Sequence, residues 1–271
     1  MPRKNAKSTK LVVQNAAKTL LANIRFAGID GPIRTITVTS AIPNEGKSTV
    51  ALNLAQAIAT SGKSVVLVEC DMRRQSIASM TGARSQGGIY AVLSNQMTLD
   101  EAVAKTSQKN MYVLLAEPHI INPSDVIASK SFARMVEELA DKFEYVIFDT
   151  PPVGAFVDAA EVGRLSDGVL FVIRENYSKR NEIVEAFDQL KKAEVHIIGA
   201  VVNCCEVDTS EHYYSYYSKD GSRRTAGSVG VPDVARGDGS SSVVGAGEHA
   251  ASHVTAPVSD APAGKRFANR R

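Results

Sequence analysis

The sequence predicts a doubly wound α/β domain with a mostly parallel sheet, led by a helix and followed by a disordered tail. Three observations carry this expectation. Short apolar runs end at Val68, Leu115, Phe148, Ile173 and Val202, helix-like segments separate them, and the composition changes after Glu206. Unbroken apolar runs suit strands buried on both faces of a parallel sheet. Their alternation with helical segments implies right-handed crossovers that place helices on both faces.

Residues 1–10 carry Arg3, Lys4, Lys7 and Lys10 with no apolar run behind them to act as a signal or a span. They are expected to form a disordered basic start. Over residues 11–26, Leu11, Val12, Ala16, Leu20 and Ile24 recur at roughly helical spacing, and Gly28, Gly31 and Pro32 stop the helix. Over residues 34–40, Ile36 and Val38 alternate with threonines, which is strand chemistry. A helix follows over 48–60, its apolar Val50, Leu52, Leu54, Ala55 and Ile58 wrapping broadly, with Gly62 as its stop. Residues 65–68 form the next strand, and helices are expected over 131–142, 158–165 and 179–193. The main domain is thus placed at 11–206, a tyrosine-rich segment at 207–218 and the tail at 219–271. The tail's Gly, Ser, Ala and Pro cannot offset the entropy of ordering.

A chain of 271 residues, 44% hydrophobic and 22% charged, buries one large core. Its 31 basic and 29 acidic residues leave a formal charge of +2, which excludes the strongly basic face of a dedicated nucleic-acid binder. Cys204 and Cys205 are adjacent and Cys70 is remote, so the cysteines fit neither a disulfide framework nor zinc-ligand spacing, and a reducing, cytoplasmic setting is expected. The five histidines show no metal-ligand spacing and receive no role.

Residues 41–48, Ala-Ile-Pro-Asn-Glu-Gly-Lys-Ser, fit the relaxed Walker A pattern between a strand and a helix. In such a P-loop, backbone amides and the helix N-terminus face an anion, a lysine neutralises the β- and γ-phosphates, and a hydroxyl ligates magnesium. Asn44, Glu45, Gly46, Lys47, Ser48 and Thr49 are therefore read as cofactor-binding, with ATP and Mg²⁺ as the cofactors. Residues 144–152 form an apolar strand ending in Asp149, the Walker B arrangement, followed by two prolines that end strand pairing. Residues 65–74 form a second strand whose end carries Glu69 and Asp71 and then Arg73 and Arg74. Ligands bind at the carboxyl ends of parallel strands, so both acidic ends are expected in one crevice, with Ser48, Asp71 and Asp149 holding the metal. Cys70, between the two acids, reads as a small buried apolar residue.

The Walker A loop, an acidic strand end closed by arginine and an Asp-x-Pro-Pro Walker B together resemble the bacterial tyrosine kinases of capsule and exopolysaccharide assembly, over residues 11–217. The resemblance implies a P-loop fold like that of MinD and ParA, use of ATP with Mg²⁺, and phosphorylation of tyrosines near the C-terminus. Here those are Tyr213, Tyr214, Tyr216 and Tyr217, reached in trans by a flexible segment of another copy. It implies a catalytic set of Lys47, Glu69, Asp71 and Asp149, in which carboxylates draw the tyrosyl proton while Lys47 absorbs charge on the phosphoryl group. Glu69 would lie nearest the incoming hydroxyl, but the family places aspartate there, and the extra methylene displaces the carboxylate by about an ångström.

The resemblance also lets Asn203, at the end of a strand, face the adenine, although a plain turn residue is an equal reading. The glutamate and two arginines that form rings in the family correspond to Asn15, Lys18 and Leu21, so only one of the three keeps its charge, which argues against a salt-bridged ring and leaves Leu21 to pack against a partner. Family members without a span are activated by a membrane-embedded regulator of polymer length, so such a partner, and recruitment from the cytoplasm to the inner face of the plasma membrane, are expected. Two other readings stay open. One is a MinD- or ParA-like ATPase switch, although Ile42 stands where such switches carry an extra lysine. The other is a nucleotide-binding regulator weakened through Glu69 and docked on the membrane partner.

Overall fold

The computed structural model describes residues 6–28 and 31–205. Its centre is a seven-stranded sheet of β1 (Thr35–Ser40), β2 (Val65–Glu69), β3 (Ala104–Lys105), β4 (Met111–Leu114), β5 (Tyr145–Asp149), β6 (Gly168–Arg174) and β7 (Ile197–Asn203). The strand order is β3-β4-β2-β5-β1-β6-β7, parallel throughout except for the short β3, which runs antiparallel to β4. The chain leaves β1 towards β2 on one side, whereas β6 lies on the other. The ends of β1 therefore mark the point where the winding reverses and a crevice opens.

The threonine alternation in β1 explains its placement. Ile36 and Val38 are fully buried on the face covered by α2 (Lys47–Thr60), while Thr37 and Thr39 are buried on the other. Neither hydroxyl is left unpaired: Thr37 shares a hydrogen bond with Ser166 at 2.9 Å, and Thr39 donates to the Pro151 carbonyl at 2.9 Å. β2 divides in the same way, Val65 and Leu67 towards α2, Val66 and Val68 towards the opposite layer. That layer contains α4 (Ile89–Leu93), α5 (Leu99–Ala102), α6 (Pro123–Ile127), α7 (Lys130–Lys142) and α8 (Asp158–Arg164), and α9 (Arg180–Lys192) covers β6 beside it.

The first helix, α1, runs Ala6–Ala27 and begins ahead of residue 11, so the expected disordered start is corrected from residue 6 onward. Alanine and lysine are good helix formers, and nothing between Ala6 and Leu11 breaks the helix. Ala17, Leu21 and Ile24 form its buried stripe against α2, and burying Leu21 and Ile24 contributes roughly 1.5–3 kcal/mol each. Leu21 is therefore spent within the chain, which corrects the expectation that it packs against a partner, while Asn15 and Lys18 are exposed.

The short helices α3 (Ile77–Thr81), α4, α5 and α6 were not anticipated. Each is four or five residues long, too short for a helical apolar period to show. One did carry a local signal: Thr98 and Glu101 form a capping box that opens α5.

Candidate active site

The phosphate loop leaves β1 at Ala41 and enters α2 at Lys47. Asn44 and Gly46 both adopt positive φ, at 68° and 88°. Gly46 is required twice over, since a side chain there would be strained and would collide with Nδ2 of Asn203. Gly46 also opens α2 without any side-chain cap, which leaves first-turn amides for an anion. Lys47 is nearly buried, and its Nζ lies 3.2 Å from Oδ2 of Asp71. Ser48 and Thr49 follow in the first turn, Ser48 half-buried and Thr49 exposed.

Parallel pairing sets Asp149 level with Val38 and with Glu69. The amides of Cys70 and Asp71 both donate to the Asp149 carbonyl, at 2.8 and 3.0 Å, which fastens the end of β2 to the end of β5. The Asp149 carboxylate is fully buried, and neither oxygen has a hydrogen-bond partner among the described residues. Burial pushes its pKa up to about 7, with Lys47 and the Ser48 hydroxyl pulling it back and Asp71 and Glu69 adding to the rise. An unpaired buried carboxylate is costly by itself and suits a cation ligand. Burial, followed by the charges of Asp149 and Asp158, drives the Cys70 thiol well above its ordinary pKa, so Cys70 stays protonated and inert.

Glu69 is engaged by backbone donors. Its carboxylate accepts the amides of Ser76 at 2.6 Å and Ile77 at 2.8 Å at the start of α3, and a longer contact from the Ala116 amide at 3.4 Å. The extra methylene carries the charge to these buried donors. Shortening the side chain is therefore expected to cost about 1–3 kcal/mol through unmade hydrogen bonds. Glu69→Asp should lower the melting temperature without raising phosphotyrosine yield. A large gain in labelling by this variant would show that the reach to α3 is irrelevant to its role.

Glu45 and Asn203, both expected to touch the nucleotide, are turned to the loop itself. Glu45 is fully buried, with its carboxylate accepting from Ile42, Arg174 and Ser178, and Asn203 Nδ2 donates to the Glu45 carbonyl at 2.8 Å. Sequence reading missed a further cluster on the same rim. Arg73 pairs with the fully buried Asp158, donates to the Ser124 hydroxyl at 3.0 Å and lies 4.0 Å over the Phe156 ring. Ser124 in turn donates to Asp158 at 2.6 Å. The arginine was visible in the motif, but its partners Ser124 and Asp158 stand at the starts of α6 and α8, which only the fold brings to it. Tyr213, Tyr214, Tyr216 and Tyr217 lie outside the described residues.

Comparison with known proteins agrees with this geometry. The AAA domain family matches residues 33–198, the span from β1 to the start of β7. Tyrosine-protein kinase YwqD of Bacillus subtilis is 32% identical over 203 residues, covering 75% of this chain and 86% of its own. Among solved structures, the kinase domain of the Escherichia coli tyrosine kinase ETK is similar with a TM-score of 0.69 at 27% identity, over 73% of this chain and 77% of that one. The Pyrococcus furiosus cell division ATPase MinD matches with a TM-score of 0.55 at 25% identity, over 62% of this chain and 71% of that one. A family match over more than half of the sequence, together with a kinase relative covered over 86% of its length, places the chain in the family of bacterial tyrosine kinases with a MinD-like P-loop fold.

Proposed function

We propose that this chain is an ATP-dependent protein-tyrosine autokinase that phosphorylates its own Tyr213, Tyr214, Tyr216 and Tyr217, in trans, and so regulates capsular or exopolysaccharide synthesis and export. The observation that carries the reading is the buried Lys47–Asp71 pair beside the unpartnered Asp149 carboxylate, at the mouth of a phosphate loop. The β- and γ-phosphates of ATP fit the uncapped start of α2, where Lys47 turns from Asp71 to a phosphate oxygen.

The two orphaned Asp149 oxygens, Asp71 and the Ser48 hydroxyl are oxygen donors of the kind Mg²⁺ takes. When bound there, Mg²⁺ supplies charge neutralisation on the phosphate oxygens. With Glu69 held by amides, Asp71 is the carboxylate left to take the tyrosyl proton as the phenolic oxygen attacks the γ-phosphorus and ADP leaves. Lys47 stabilises the charge that develops on the transferred group. Among the described residues no helix is long and apolar enough to cross a membrane. In the proposed function, a membrane-embedded chain-length regulator that also acts as activator recruits the chain to the inner face of the plasma membrane.

The test is direct. Purified protein incubated with ATP, Mg²⁺ and the cytoplasmic segment of the activator is expected to yield phosphotyrosine at residues 213–217 by mass spectrometry. Replacing all four tyrosines by phenylalanine should remove it. ATP hydrolysis without any phosphotyrosine would shift the reading to a MinD- or ParA-like switch.

A further inference from the structure

Behind the phosphate loop, three donors converge on one carboxylate. Oε2 of the fully buried Glu45 accepts the Ile42 amide at 2.8 Å, and Oε1 accepts the Arg174 amide at 3.3 Å and the Ser178 hydroxyl. Two further ties reach the same stretch of backbone: Asn203 Nδ2 to the Glu45 carbonyl at 2.8 Å, and the Arg174 guanidinium to the Asn44 carbonyl at 3.2 Å. The loop is thus bound to the end of β6, to the connection between β6 and α9, and to the end of β7.

A carboxylate is costly at this position. The loop receives a polyanion, and a fixed negative charge nearby opposes it. Phosphate recognition by a loop of this kind needs backbone amides and a lysine, not an acid. What Glu45 supplies is shape. It sits between Asn44 and Gly46, both at positive φ, so the chain around it follows a path that local preference does not hold. The bonds from its carboxylate close the turn on Ile42 and anchor it to Ser178 and Arg174.

We infer that Glu45 and Ser178 are positioning residues of the kinase reaction, forming a clamp that holds the phosphate loop in its anion-binding curvature and couples that curvature to residues 174–178. The inference rests on the proposed binding of ATP at this loop. Ser178 reaches the loop through the Glu45 carboxylate and acts through it. ATP binding and the conformation of the β6–α9 connection therefore depend on one another.

The experiment compares the wild-type chain with Ser178→Ala, Glu45→Gln and Glu45→Ala, measuring ATP affinity by calorimetry with Mg²⁺ present, KM and kcat for autophosphorylation, and melting temperature. Loss of one hydrogen bond to a charged group predicts that Ser178→Ala weakens ATP binding about tenfold, as a rise in KM for ATP with kcat nearly unchanged. Glu45→Gln keeps the shape and one acceptor oxygen, so it should retain more affinity than Glu45→Ala. Adding Ser178→Ala to Glu45→Ala should change affinity far less than in the wild-type background. Unchanged ATP affinity in Ser178→Ala and Glu45→Gln, whatever their melting temperatures, would overturn the clamp, and so would additive effects in the double variant. If Glu45→Ala does not fold, Ser178→Ala and Glu45→Gln, singly and combined, carry the same comparison. A wild-type chain that takes up no ATP would count against the proposed function, not against the clamp.

Discussion

Lys47→Met is expected to lower phosphotyrosine formation by about 10²–10³-fold, the usual effect of removing one preorganised donor from a developing charge. The same substitution should also destabilise the free protein, because Asp71 is almost fully buried and loses the ammonium 3.2 Å away. Stranding one member of a buried pair costs about 3–5 kcal/mol. Activity loss and unfolding must therefore be separated. The double variant Lys47→Met, Asp71→Asn removes both charges, so it should recover most of the melting temperature lost by Lys47→Met alone while staying inactive. Asp71→Asn alone should also be inactive, through loss of the carboxylate proposed to receive the tyrosyl proton. Labelling that persists in both single variants, with wild-type melting curves, would remove these residues from the reaction.

How much of this site could be read from sequence follows from the range of the interactions. The phosphate loop and the acidic ends of β2 and β5 are local patterns, and parallel pairing then brings Glu69 and Asp149 to the same level without further information. β1 was legible because its threonines alternate with Ile36 and Val38. Its buried hydroxyls find Ser166 and the Pro151 carbonyl, partners that no local pattern names. The pairing of Arg73 with Asp158 was hidden for the same reason, since it spans 85 positions and joins the loop after β2 to the first residue of α8.

Glu45 and Glu69 show a different limit. Both lie in motifs, but the motifs do not name the donors that reach their carboxylates: the Ile42 and Arg174 amides and the Ser178 hydroxyl at Glu45, and the Ser76 and Ile77 amides at Glu69. Whether an acid in a motif is free or engaged depends on which donors the surrounding loops bury near it, and that is settled only in three dimensions. Leu21 shows the same limit on the apolar side. Helical spacing singles out Leu11, Val12, Ala16, Leu20 and Ile24, whereas the stripe buried against α2 runs through Ala17, Leu21 and Ile24, with Leu11 and Ala16 exposed; apolar spacing alone does not say which side of the helix its own chain covers.

Asp149→Asn is expected to abolish phosphotyrosine formation and, without divalent cation, to make the protein more stable. Its carboxylate is fully buried with no hydrogen-bond partner among the described residues, so it is retained at a cost that a neutral amide of the same shape reduces. The pH dependence carries the clearest sign. The pKa of the folded carboxyl is about 7 against an ordinary 3.8, so between those values the folded protein holds a proton that the unfolded chain has released. Stability must then fall as pH rises through that window, and level off above it. The shift corresponds to on the order of 4 kcal/mol, an upper limit because water or small movements relieve part of it. Melting curves of the wild-type protein in chelator should show this decline from pH 4 to 7, Mg²⁺ should restore stability at pH 8, and Asp149→Asn should lose both the decline and the Mg²⁺ response. An Asp149→Asn protein that melts below wild type at pH 8 in chelator, or still gains stability from Mg²⁺, would show that Asp149 is not the carboxylate kept at a cost for the metal.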